Sequence, residues 1–462
     1  MPHGQIQCRR PEDWCRGRLT ATVLAAMLVL PATAGATGLA PGSAGDIRAL
    51  AASGVARLAA AGPSVADAAP LPPRRPLRPE VESPPTASAP TPKGAVATDR
   101  AAPGASAAPV AAPTSAPAPF TLSQKIGRMI LIGFPGQQVA DPGVRRVAEL
   151  LRAGRLGGVL LLGHNIGGPS QIDRLIAHLR QSAMGADGSG LPPLIAVDQE
   201  GGRVQRLGLR AGFSPVPSAE QIGRRGESEA QTVYAKMAAE LAALGVNFNL
   251  GPVVDLAVDP RNPVIVRNRR SYGRDPTRVT ALAAAFIAAH RAERIATAVK
   301  HFPGHGSSTT DTHIDPADVT DSWTPAEVSP YARLASRGLV DAVMMAHVAH
   351  DALTGARDLP ASLSEQAISE HLRGLVGPVP VVVTDDLEMA AVRAKIGLEA
   401  AAIAAIAAGA DLVLFSNTWR YDPQRVDRLI EAVAKAVRSG RIPPGRIEEA
   451  TARLDRLRAR IR

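Results

Sequence analysis

The stretch KHFPGHGSSTTDTHID, residues 300–315, sets a lysine, three histidines and two aspartates on a segment whose glycines and Pro303 work against both helix and strand. Loops of this composition position chemistry on a rigid scaffold. A free imidazole titrates near pH ~6.5, so it can give and take a proton at neutrality without the burial a carboxyl would need. Asp311 stands two residues before His313 in an extended loop, close enough to hold one ring nitrogen and fix the tautomer. A second stretch, VTDDLEM (383–389), ends an apolar run on two adjacent acids. Along a strand these two side chains point to opposite sides, so Asp385 can face a cavity while Asp386 turns to a helix N-cap or a structural ion pair.

Such groups need a frame, and the chain after Pro119 supplies one. Short apolar runs occur at 128–134, 157–165, 193–202, 246–256, 296–306, 341–348, 380–389 and 410–417. Between them lie stretches with apolar residues at three- and four-residue spacing, such as 228–245 and 275–293, which predict helices. Continuous apolar strands alternating with helices imply a parallel sheet covered by helices. Eight such units predict an α/β fold, a closed (β/α)8 TIM-type barrel. An open doubly wound sheet lacks support, because no Gly-rich dinucleotide turn follows the first strand. Polar residues end nearly every run: His164, Asp198, Asp255, Lys300 with His301, His347, Asp385 with Asp386, and Ser416 with Asn417. In a barrel the C-terminal strand ends form one rim, so this pattern is expected to gather them around a single bowl.

The remainder of the chain is of another kind. Residues 1–36 read as an export signal: four arginines by Arg18, then the apolar LTATVLAAMLVL and the small-residue PATAGA. Twelve apolar residues fall short of the about 20 needed to cross a bilayer, so membrane attachment is expected only if this segment stays uncleaved. Residues 37–119 are dominated by Ala, Pro, Ser and Gly and read as a disordered linker, leaving 120–462 as the barrel domain. The only cysteines, Cys8 and Cys15, precede the apolar run, so cleavage would leave no thiol for disulfides, catalysis or metal. Of the formal charge of +10, residues 1–119 account for +4 (11 basic against 7 acidic), leaving 41 against 35 in the remainder. A surplus of that size with few aromatics argues against nucleic-acid binding.

At this point the residues carry a resemblance. AVDQEGGRVQR (196–206), NFNLGPVVDL (247–256), RSYGRDP (270–276), KHFPGHG with DTH (300–313), MMAHV (344–348), VTDDLEM (383–389) and AGADLVLFSN (408–417) resemble, in order, the motif series of the glycoside hydrolase family 3 β-N-acetylglucosaminidases, single-barrel enzymes that trim peptidoglycan fragments. The resemblance runs from about Leu122 to the C-terminus. It implies Asp385 as nucleophile of a retaining mechanism, His313 as general acid/base with Asp311 as its partner, and Asp198, Arg206, Arg270, Lys300 and His301 as ligands of the terminal sugar. It departs from the family's pattern at Thr312, Tyr272 and His164, which leaves substrate preference at the rim more open than the reaction.

The other polar residues have structural readings. His305 is expected to bond the loop backbone, and His347 either touches sugar or supports the barrel mouth. A metal site from His164, His301, His347 and Asp385 is conceivable, but no HxH pair opens the first strand, and neither metal nor cofactor is expected. The implied activity is exo-β-N-acetylglucosaminidase on oligosaccharide or muropeptide, from an exported monomer in the periplasm or outside the cell. The alternatives are a β-glucosidase or phosphorylase of the same family, a metal-dependent barrel hydrolase, or a non-catalytic wall-binding module on a tether.

Overall fold

The computed structural model describes residues 120–184, 192–418 and 420–461. The expected export signal (1–36) and linker (37–119) lie outside the described residues. Each of the eight apolar runs contains one barrel strand: β1 (Ile130–Gly133), β2 (Gly158–Leu161), β3 (Leu194–Val197), β6 (Phe248–Asn249), β7 (Ala296–Phe302), β9 (Ala342–Met345), β11 (Val381–Asp386) and β12 (Leu412–Phe415). All pair in parallel in chain order, and β1 meets β12 with Ile130 opposite Val413, which closes the barrel. The TIM-type fold is thus as the patterning predicts. The runs are continuously apolar because one side of each strand packs inside the barrel and the other meets a helix; β1, β2, β3, β9 and β12 are buried at every position.

The intervening helices follow the same logic. The two expected at 228–245 and 275–293 are found as Glu227–Ala243 and Pro276–Ala292. The second starts sharply because Asp275 accepts the Thr277 amide and Pro276 takes the first turn, where a missing N–H costs nothing. Among the described residues no helix is long and apolar enough to cross a membrane.

Two strands are cut short by proline. The fourth run pairs only at Phe248–Asn249, since Pro252 has no N–H to offer, and contact with β7 resumes at Val253 opposite Lys300. β7 stops at Phe302, before Pro303, and releases the loop that carries Asp311 and His313. Two small pairs decorate the rim: antiparallel β4 (Gln199–Gly201) with β5 (Val204–Gln205), and parallel β8 (Ala317–Asp318) with β10 (Val348–Ala349). Beneath the opposite end, helix Pro444–Arg458 sends Arg458 under the first strands, where its Nη2 donates to the carbonyls of Arg128 and Gly157.

Candidate active site

At the C-terminal end of the barrel lies a cavity of about 430 Å³, a size suited to a small-molecule site. Its wall includes Asp198, Arg206, Arg270, Lys300, His301, Asp311, His313 and Asp385, so every residue expected at the site from sequence is brought to one place. Three strand ends do most of this. β3 delivers Asp198, and the β4–β5 hairpin carries Arg203 and Arg206 over the bowl; Gly201 and Gly202, at φ 103° and 59°, make the turn possible. β7 delivers Lys300 and His301, and β11 delivers Asp385.

The floor is an ion-pair network. The Lys300 ammonium, 2% exposed, donates to Asp198 Oδ1 at 2.8 Å and sits 2.7 Å from Glu200 Oε1. Arg270 grips Glu200 with Nε and Nη2, each at 2.8 Å, the bidentate geometry that favours guanidinium over ammonium. Burial works against the Glu200 charge, and the two cations overcome it and hold the carboxyl well below the usual range. Burial likewise opposes charge on Lys300 and Arg270, and their acidic neighbours outweigh it, so both stay cationic. Arg206 is less committed: its Nη2 is 3.5 Å from Asp198 Oδ2, and its enclosed Nε has no hydrogen-bond partner.

His301 is held from two sides. Its Nδ1 lies 2.6 Å from Asp255 Oδ2, while Nε2 accepts from Arg270 Nη2 at 3.3 Å, which assigns the proton to Nδ1. Asp255 is fully enclosed, and it also accepts the His301 and His305 amides. Burial opposes its charge, and the His301 ring, by attraction and hydrogen bond, more than offsets this and lowers the carboxyl.

On the loop, Asp311 Oδ1 lies 2.8 Å from His313 Nδ1 and also accepts the His313 amide at 2.9 Å. The ring is therefore presented with Nε2 free, on a side chain that is 61% exposed. The loop tip is docked on the connection after β11, where the Ala391 amide donates to the Thr312 carbonyl.

Asp385 faces this cavity. Burial opposes its ionised form, but His301, His347, His313 and the Asp386 amide together hold the carboxyl down at about 2. The Asp386 amide donates to Asp385 Oδ1 at 2.8 Å and fixes the carboxylate. Asp386 itself points away, as the strand period requires. Its Oδ1 accepts the Glu388 and Ser416 amides, and burial pushes it up to about 6.

Some sequence expectations need correction, and the contacts decide others that the sequence left open. Not all strand-end polar groups line the bowl: His164 is exposed and bonds the Phe134 carbonyl, Asp255 lies beneath the histidines, and Ser416 and Asn417 turn to Glu388 and Asp422. His347 is mouth support, its Nδ1 on Ser362 Oγ at 2.7 Å and its Nε2 on the Asp386 carbonyl at 2.9 Å. His305 uses its ring to bond the Thr312 hydroxyl rather than loop backbone, and burial lowers it to about 4, so it is neutral. The conceivable metal set is not assembled: among the described residues no group of three or more His, Cys, Asp or Glu could hold a metal ion. Glu200 was missed from sequence, although its place two residues after Asp198 is a signal for a shared face.

The pattern of the glycosyl hydrolase family 3 N-terminal domain matches residues 121–457. Beta-hexosaminidase A of Pseudoalteromonas piscicida is 31% identical over 378 residues, 75% of this chain and 62% of that protein. A beta-hexosaminidase of Stenotrophomonas maltophilia strain R551-3 is 34% identical over 315 residues, 66% of this chain and 87% of that protein. The solved family 3 β-N-acetylglucosaminidase of Paenibacillus sp. str. FPU-7 superposes with a TM-score of 0.67 at 37% identity, covering 74% of this chain and 63% of that one. The chain thus spans less than two thirds of the Pseudoalteromonas and Paenibacillus relatives. By barrel, motif order and these matches, the chain belongs to glycosyl hydrolase family 3 and is a relative of its β-hexosaminidases.

Proposed function

We propose that the chain is a retaining exo-β-N-acetylglucosaminidase that removes terminal β-linked N-acetylhexosamine from peptidoglycan-derived oligosaccharides. The observation that carries this reading is the shared cavity wall of Asp385 and the Asp311–His313 pair, a nucleophile fixed on a strand beside an imidazole with one nitrogen free. In the first half-reaction the Asp385 carboxylate attacks the anomeric carbon as the glycosidic C–O bond breaks. The imidazolium Nε2 of His313 gives its proton to the departing oxygen. In the second, neutral His313 takes a proton from water, whose oxygen bonds the anomeric carbon and releases Asp385. Asp311 keeps the ring oriented and stabilises its cationic form in both directions.

The floor network supports recognition of the sugar that leaves with Asp385. Asp198 is partly open to the cavity, and Arg206 has an uncommitted donor. At the rim, exposed Arg203 and the half-buried Arg206 suit a leaving group that bears a carboxylate, as muropeptides do. The export signal read at residues 1–36 supports action in the cell envelope. Trapping with a 5-fluoro N-acetylglucosaminyl fluoride, which keeps the 2-acetamido group, and mapping the label by mass spectrometry tests the mechanism. The expected label is on Asp385, and a label on any other residue overturns the assignment.

A further inference from the structure

The segment that bears Asp311 and His313 is fixed at its root by a group that plays no part in the chemistry above. Glu327, on the short turn Pro325–Val328, is fully enclosed. Its Oε2 accepts the Gly306 amide at 2.9 Å. The fit is tight: a Cβ on Gly304 would lie 2.6 Å from the Glu327 Cβ and 2.8 Å from Oε2, so glycine at φ 120° is what lets the carboxylate lie against the main chain.

This carboxylate is poorly compensated. Its Oε1 has no hydrogen-bond partner, nor do the buried hydroxyls of Ser307 and Tyr331 or Nδ1 of His305. Among the described residues no lysine or arginine pairs with it. The titratable groups that face it are Asp255, of like sign, on the segment after β6, and Tyr331 on the following helix; the loop offers the Ser307 hydroxyl and amide. Burial, and then the Asp255 charge, push Glu327 up to about 7, against the pull of the Gly306 amide and of the Ser307 side chain, which lies close but outside hydrogen-bond geometry. A buried acid in such surroundings lowers stability relative to an apolar residue of similar size. Such groups cluster at functional sites.

The contacts from Glu327 lead to the acid/base pair. The N–H that Glu327 accepts belongs to the peptide between His305 and Gly306. The His305 ring bonds the hydroxyl of Thr312, the residue before His313, at 3.1 Å, and the His305 amide rests on Asp255 Oδ1 at 2.9 Å. Trp323, four residues before Glu327, donates from Nε1 to the Pro303 carbonyl at 2.9 Å and holds the loop's first residues.

We propose that Glu327 is a positioning residue: through the Gly306 peptide and the His305–Thr312 contact it sets where the His313 imidazole rests relative to Asp385. This rests on the acid/base reading of Asp311 and His313. The test compares full-length wild type, Glu327→Gln and His313→Ala on two substrates, an N-acetylglucosamine disaccharide and a dinitrophenyl N-acetylglucosaminide whose leaving group needs no proton.

For Glu327→Gln, kcat/KM on the disaccharide is expected to fall about tenfold or more, since small misplacements of a catalytic group cost that much. On the dinitrophenyl substrate it should change less than about twofold, and the disaccharide pH profile should change near pH 7. A residue that serves folding alone would lower both substrates together through the active fraction. Parallel loss on both substrates, or no loss on either, while His313→Ala is severely impaired on the disaccharide, overturns this inference alone. An unimpaired His313→Ala overturns it together with the acid/base reading. Glu327→Gln keeps the side-chain volume and one acceptor; if it fails to fold, Trp323→Phe, which frees the loop at Pro303, must show the same selective loss or the inference falls.

Discussion

A single oxygen of Asp311, Oδ1, holds both the backbone amide and the ring Nδ1 of His313, at 2.9 and 2.8 Å. The acid thereby fixes the main chain and the imidazole of its partner at once. Replacing Asp311 by Asn keeps the shape but removes the charge that steadies an imidazolium. For Asp311→Asn, kcat/KM on an unactivated disaccharide is expected to fall by roughly 10²–10³. For His313→Ala the loss is expected to be at least as large, with azide restoring turnover of activated aryl glycosides by attacking the Asp385 adduct without a base. Steady-state kinetics on both substrate types checks this, and an intact disaccharide rate in His313→Ala would remove the proton-transfer role.

Glu200 neutralises two buried cations, Arg270 and Lys300. Glu200→Gln leaves Lys300 with Asp198, and Arg270 with Asp255 and Asp198 but no bidentate partner, and breaking a buried pair from one side costs about 3–5 kcal/mol. A loss of about 3 kcal/mol in unfolding free energy is expected by denaturant titration, with a raised KM because Lys300 and Arg270 shift. A variant as stable as wild type would mean that water reaches this floor.

Asp385 yields a pH prediction with a definite sign. Its folded pKa of about 2 lies below the ordinary 3.8, so its contribution to stability is complete above pH 3.8 and is lost as pH falls toward 2. The shift corresponds to at most about 2 kcal/mol, less what the partly open cavity screens. The stability gap between wild type and Asp385→Asn should therefore shrink by about 1–2 kcal/mol between pH 5 and pH 2 in chemical denaturation. A constant gap would mean that the surrounding imidazoles do not act on this carboxylate. An acid limb of kcat/KM above pH 4 is expected to belong to another group.

In the proposed mechanism a carboxylate and an imidazole together supply the nucleophile and the proton. Chelation is therefore expected to leave turnover unchanged, and loss of rate restored by a divalent ion would favour the metal-dependent alternative. Water is the expected acceptor, so rates in phosphate and in phosphate-free buffer should agree. Release of a sugar phosphate in phosphate would mark a phosphorylase.

The barrel was legible because both faces of its strands are buried, which writes each as an uninterrupted apolar run. All eight runs hold a barrel strand, from Ile130–Gly133 to Leu412–Phe415. The alternation rule also separated Asp385, which faces the cavity, from Asp386, which caps the chain behind it. Less legible was which polar strand ends reach the bowl. His347 and Asp255 obey the same pattern as Asp198 but are used by Ser362 and by the His301 ring. Sequence position does not say whether a side chain meets a protein partner before it meets the cavity. Glu327 was hidden for another reason: its contact with Gly306 joins two separate turns, and no periodicity links them.

Helix Pro444–Arg458 shuts the barrel from beneath, and β12 is the strand that joins its two edges. Every side chain assigned to the chemistry lies between Asp198 and Asp385, so a ribosome has already delivered them all when these sealing parts are still unmade. An interrupted product would carry the whole reactive set on a vessel without its last stave or its base. Competence is thus withheld until these closing parts have been made.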